Sequence, residues 1–94
     1  MTTIRLDITR EDGPLWFDCR EHAGDREVCG MISTLLNFLV IYMSGEGVVP
    51  TVYEKGHLQF DLYVSNRNIN KVFRAVETTL KSLETHYPEH IKVY

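Results

Sequence analysis

Leu58-Gln59-Phe60-Asp61-Leu62-Tyr63-Val64 puts Leu58, Phe60, Leu62 and Val64 on one side of an extended chain and Gln59, Asp61 and Tyr63 on the other. This alternation marks a strand with one buried face, and it is the clearest in the sequence. Before it, Lys55-Gly56 is a turn, and Val48 to Glu54 reads as a further strand in which Pro50 marks a sheet edge or a strand start. After it, the spacing turns helical. Ser65 or Asn68 is placed to cap a helix whose apolar face is Ile69, Val72, Phe73, Val76, Leu80 and Leu83, with Glu77 and Lys81 as an i, i+4 pair on the other side. Pro88 ends that helix, and Ile91 and Val93 begin a short last strand.

The first half of the chain repeats the scheme. Ile4, Leu6 and Ile8 alternate with Arg5, Asp7 and Thr9; Asp12-Gly13-Pro14 turns the chain; Leu15, Phe17 and Cys19 then alternate with Trp16, Asp18 and Arg20. These segments form a hairpin. From about Arg26 the stripe Val28, Met31, Ile32, Leu35, Leu36 and Leu39 is helical, and Phe38, Val40, Ile41, Tyr42 and Met43 make its second half apolar nearly all round, so a largely buried helix is expected. Gly45 and Gly47 stop it.

The order is therefore β-β-α-β-β-α-β, an α/β (α+β) fold within a single domain spanning residues 1–94. Each strand is polar on one side, so the economical packing is two layers: a mixed sheet of about five strands with both helices on its apolar face. Arg5, Asp7, Trp16, Asp18, Arg20, Gln59, Asp61 and Tyr63 fall on the opposite face. Trp16 and Tyr63 there read either as a partner contact or as ordinary surface aromatics.

Composition narrows the function. With 94 residues there is no room for a separate cofactor domain. A net charge of −3 with scattered basic residues argues against nucleic acid as partner, since phosphate neutralisation carries most of such binding. The apolar run Leu35 to Met43 is too short to cross a bilayer, and Met1-Thr2-Thr3-Ile4-Arg5 carries no secretion signal. Two cysteines make no disulfide framework, which fits a reducing, cytoplasmic setting.

Chemistry concentrates in Glu21-His22-Ala23-Gly24-Asp25-Arg26-Glu27-Val28-Cys29. Cys29 falls in the first turn of a helix, where unpaired N–H groups and the positive dipole end favour thiolate, the nucleophilic form. His22 leaves the preceding strand and is placed to pair with it as general base and acid, while free loop amides at Ala23 and Gly24 are candidates for holding an oxyanion. The competing reading is structural. Cys29 adjoins the stripe Val28, Ile32 and Leu35 and suits a small core residue, and a loop histidine is more often a plain hydrogen-bonder.

His-Ala-Gly followed by Val28-Cys29-Gly30-Met31-Ile32-Ser33-Thr34-Leu35 resembles the ribosomal-processing cysteine protease family, Prp, whose hallmark is Gly-His-Ala, a glycine-bearing loop and Asp-Ile-Val-Cys-Ala-x-x-Ser-x-Leu. The opening hairpin and the close Tyr87-Pro88-Glu89-His90-Ile91-Lys92-Val93 extend the resemblance over nearly the whole chain. It implies Cys29 as nucleophile, His22 as its partner, no cofactor, and a homodimer. It also implies a precursor protein as substrate: the N-terminal extension of a ribosomal protein or, in phage-encoded relatives, a capsid or scaffold protein, cut after aromatic or apolar residues. The chain departs from the pattern at Glu21, where the family has Gly; in the short separation of His22 from Cys29; and at Arg26, where the family has Asp. Asp25, one position earlier, is the candidate helix N-cap. The shortened loop is like that of phage-encoded members. These departures leave a second reading, a non-catalytic binding or structural module on the same fold.

Other constellations read as structural. Cys19, His22 and Cys29 do not make a convincing metal site, because Cys19 shares the parity of Leu15 and Phe17 and points into the core. His86 and His90 are separated by Pro88 and read as a solvated pair, His57 as a turn residue, and Asp18 and Asp61 as solvated strand positions. Ser44-Gly45-Glu46-Gly47 follows a helix and lacks the lysine of a phosphate loop. Ser33 is expected to hydrogen-bond backbone one turn earlier.

Overall fold

A computed structural model describes residues 1–94. The strands β1 (Thr2–Ile8) and β2 (Leu15–Arg20) form the opening hairpin, α1 spans Arg26–Gly45, and β3 (Val52–Glu54) and β4 (His57–Leu62) form a second hairpin. The chain ends with α2 (Arg67–His86) and β5 (Ile91–Val93). The strands make one mixed sheet in the order β3-β4-β2-β1-β5, with β1 and β5 parallel and every other pairing antiparallel. The parallel pair follows from α2, which crosses over from the far side of the sheet and delivers β5 beside β1.

The register explains the core. Leu6 is opposite Phe17 and Phe17 opposite Phe60; Ile4 is opposite Cys19 and Cys19 opposite Leu58. Their side chains all face the helices, and Phe73 of α2 meets Phe17 and Phe60 edge-on, with ring centroids 5.4 and 5.7 Å away. Phe17, Phe60 and Phe73 are completely buried. This aromatic cluster fixes α2 on the sheet.

Several expectations are corrected. The strand expected over Val48 to Glu54 is confined to Val52–Glu54 and lies at the sheet edge. Neither Ser65 nor Asn68 caps α2: Asn66 does, its side chain accepting from the Ile69 N–H at 2.9 Å. Ser65 is buried and donates to Asn70 Oδ1 at 2.6 Å. Arg74, not Lys81, pairs with Glu77, at 3.2 Å. Tyr63 lies just beyond the end of β4 and is exposed, whereas Trp16 is half-buried.

The largest correction concerns α1. Only Val28, Ile32, Leu39 and Met43 are buried. Phe38 and Ile41 are 51% and 64% exposed, so the side of α1 away from the sheet is an apolar surface instead of core. A two-layer fold covers one helix face only, and nothing in the chain lies outside α1 to bury the other. The same excess apolarity gives α1 the length and mean hydropathy, 1.7, of a membrane span. Here it is divided between a core stripe and an outer stripe.

Candidate active site at the start of α1

Helix α1 begins where the chain leaves β2. Asp25 is its N-cap, extended in backbone, with one carboxylate oxygen accepting from the Glu27 and Val28 N–H groups, both at 3.0 Å. The Cys29 N–H donates to the Asp25 carbonyl at 2.9 Å, closing the first turn. Val28 points inward and is fully buried, so Cys29, one position on, comes to the margin of the core, half-buried. Arg26 is exposed beside it.

Cys29 Sγ lies 3.9 Å from His22 Nδ1, within the reach of a hydrogen bond to sulfur. The two border a cleft of ≈ 180 Å³ between α1 and the β3–β4 edge, walled by Ile32, Leu36, Tyr53 and Leu58. Glu21 and Glu54 add negative charge to its lining, and Ser33, one helical turn beyond Cys29, lines it as well. Ser33 is exposed and makes none of the expected backbone bond; Thr34 does so instead, to Gly30 at 2.9 Å.

The imidazole is held by its backbone. Glu21 has φ +72°, the left-handed conformation that Gly adopts freely and that costs other residues about 1–2 kcal/mol. The conformation is pinned by the Glu21 N–H donating to the Gly56 carbonyl at 2.7 Å and by the Thr2 hydroxyl donating to the Glu21 carbonyl at 3.1 Å. Gly56, itself at φ +82°, lies under the ring: a Cβ there would stand 3.3 Å from His22 Nε2. The N–H groups of Ala23 and Gly24 donate no hydrogen bond within the chain, and Gly24 is exposed at φ +82°.

Sequence reasoning missed three other side chains near this corner. Asp18 is not solvated: it is 5% exposed, with Arg20 Nε and His57 Nε2 each 2.8 Å from its carboxylate oxygens. His57 is correspondingly the first residue of β4, not a turn residue, brought opposite Arg20 by the register. His90 is not part of a solvated pair with His86; its Nδ1 donates to the Ala23 carbonyl at 2.8 Å. The His57–Asp18 and His90–Ala23 contacts link residues far apart in the chain, and no local pattern reveals them. Cys19 sits in the core at 4% exposure, and burial together with the Asp18 charge pushes its thiol up to about 12. It is an inert thiol.

The fold and this corner define a class, a two-layer α+β domain with a cysteine and a histidine side by side at the amino end of its first helix. The fold is that of the ribosomal processing protease Prp. The chain is similar to a crystal structure of the essential ribosomal processing protease Prp from S. aureus in complex with a covalently linked product peptide, with TM-score 0.75 and 21% identity over 99% of this chain and 97% of that one. It is equally similar to SMU.848 from Streptococcus mutans, with TM-score 0.75 and 22% identity over 99% of this chain and 91% of that one. No family model and no curated protein sequence matches the chain.

Proposed function

We propose that this protein is a cysteine endopeptidase of the ribosomal-processing type, with Cys29 as nucleophile and His22 as general base and acid. The observation that carries this reading is the 3.9 Å approach of Cys29 Sγ to His22 Nδ1 beside an open cleft. The Prp fold, seen elsewhere with a covalently linked product peptide, supports it. The Cys29 thiolate adds to the scissile carbonyl, and the oxyanion that forms accepts from the free amides of Ala23 and Gly24. His22 then gives its proton to the departing amine, leaving a thioester on Cys29. Water, losing a proton to His22, attacks the thioester and releases the new carboxylate and the thiol.

The substrate is an extended segment of a precursor, a ribosomal protein extension or a phage head protein, in the cytoplasm of a bacterial or phage-infected cell. The apolar walls of the cleft suit an aromatic or aliphatic side chain before the cut. The enzyme works as a homodimer. Its second copy is placed on the outer stripe of α1, where Met31, Leu35 and Phe38 border a groove whose one charged side chain is Glu27, so two like copies meet there with little repulsion.

The test is incubation of the purified protein with candidate precursors from both classes, read by mass spectrometry of the products. Cleavage by the parent and none by Cys29→Ser, with the fold and melting temperature of the variant retained, is the expected result. Cleavage that survives Cys29→Ser sinks the assignment, and binding of a precursor without any cleavage makes the protein a non-catalytic module instead.

A further inference from the structure

Thr2 occupies a position that the strand pattern reserves for an apolar residue. It shares the parity of Ile4 and is 2% exposed. A valine in its place would bury without a polar atom. The hydroxyl is instead spent on the Glu21 carbonyl, 3.1 Å away, immediately before His22. On the other side of His22, the Ala23 carbonyl accepts from His90 Nδ1 at 2.8 Å. These two donors are themselves joined, because the Thr2 N–H donates to the His90 carbonyl at 2.9 Å where β1 meets β5.

We propose that Thr2 and His90 are positioning residues that pin the Glu21–His22 and Ala23–Gly24 peptides, which bracket His22 and Ala23, and so hold the His22 imidazole against Cys29. This rests on the reading of Cys29 and His22 as the reactive pair. His22 is on an exposed loop, and its only side-chain hydrogen-bond contact within the chain is with Cys29. With no other tether on the ring, the backbone that carries it sets which of its rotamers reach Cys29. Left-handed Glu21 sets the direction in which the chain leaves β2, and the Thr2 hydroxyl and Gly56 carbonyl hold that conformation against its intrinsic cost. Ala23 is buried at 2% exposure, so its carbonyl is cut off from solvent and depends on His90 for its hydrogen bond. The N-terminal strand and the α2–β5 junction are thereby coupled to a site formed by β2 and α1.

The experiment measures the rate of iodoacetamide labelling at Cys29 in the full-length protein across a pH series, by mass spectrometry of the Cys29 peptide. The variants are Thr2→Val, Thr2→Ser, His90→Leu, His90→Asn and His22→Ala. An imidazole beside the sulfur can take the proton that the thiol gives up on alkylation, so His22→Ala is expected to lower the labelling rate. Thr2→Val and His90→Leu are each expected to lower it roughly tenfold toward the His22→Ala value, the scale of loss that a displaced catalytic group brings. Thr2→Ser keeps a hydroxyl and His90→Asn keeps a donor close to the position of Nδ1, and both are expected to restore the parent profile. Circular dichroism and melting temperature are recorded for each variant, and His90→Leu, at a partly exposed site, serves if the buried Thr2→Val does not fold. Parent-like profiles in Thr2→Val and His90→Leu, with an altered profile in His22→Ala, overturn the clamp and leave the reactive pair standing. An unchanged profile in His22→Ala overturns the pair, and the clamp falls with it.

Discussion

Asp25 and Cys29 are joined through the first turn of α1: the Cys29 N–H donates to the Asp25 carbonyl at 2.9 Å, while the Asp25 carboxylate accepts from Glu27 and Val28 at 3.0 Å. The cap that starts the helix therefore also sets where the sulfur stands. Asp25→Ala removes both side-chain bonds and is expected to cost about 1 kcal/mol of stability. Asp25→Ser, which can cap, is expected to cost less. Urea unfolding of the two variants checks this, and equal losses would mean that the carboxylate charge, not the cap, is what matters.

Stability in alkali reports on the other cysteine. Cys19 ionises near its ordinary 9.0 once the chain unfolds, but only at about 12 in the fold. Between those values the native state keeps a proton that the unfolded state has lost, so the contribution is whole below the lower value and declines as pH rises through the window. At about pH 10 the loss is about 1 kcal/mol. The urea midpoint of the parent should fall more steeply between neutral and alkaline pH than that of Cys19→Ala. Parallel curves would show that Cys19 is not the group responsible.

The buried Asp18 carboxylate is stabilised jointly by Arg20 and His57, each at 2.8 Å. His57→Ala leaves it with one partner and is expected to cost about 1–3 kcal/mol. In an Asp18→Asn background the same change should cost clearly less, because the contact it removes is no longer to a charge. An additive double-mutant cycle would mean that the two side chains are neighbours without coupling.

The outer face of α1 gives a prediction about assembly. Phe38→Glu and Ile41→Glu each place a charge on the exposed apolar stripe without disturbing the core. Each is expected to convert a dimer to a monomer with an unchanged far-UV spectrum, read by light scattering after gel filtration. A parent that is already monomeric at high concentration removes the dimer from the proposal.

Packing energetics single out Phe73, whose ring contacts both Phe17 and Phe60 from α2. Phe73→Ala is expected to lower stability by about 3–5 kcal/mol in chemical denaturation, close to the whole stability of a chain this size. A loss below about 1 kcal/mol would mean that the aromatic cluster is not the centre of the core.

The sequence by itself determined the elements and the two-layer plan, because alternation and helical spacing are local consequences of burying one face. It also picked out Cys29 and His22, since a cysteine just inside a helix and a histidine just before it lie close along the chain, and Asp25 between them is a local cap. Only the tertiary structure decided what surrounds them. Asp18 reads as solvated until β4 brings His57 over it, and His90 as solvated until β5 carries it to Ala23; the bond from Thr2 to Glu21 has no local signal at all. The exposed side of α1 is hidden from sequence for the same reason. Apolar composition says that a surface avoids water, but which surface gets covered depends on the strand order β3-β4-β2-β1-β5 and on where α2 lies, and those are settled by contacts between residues distant in sequence.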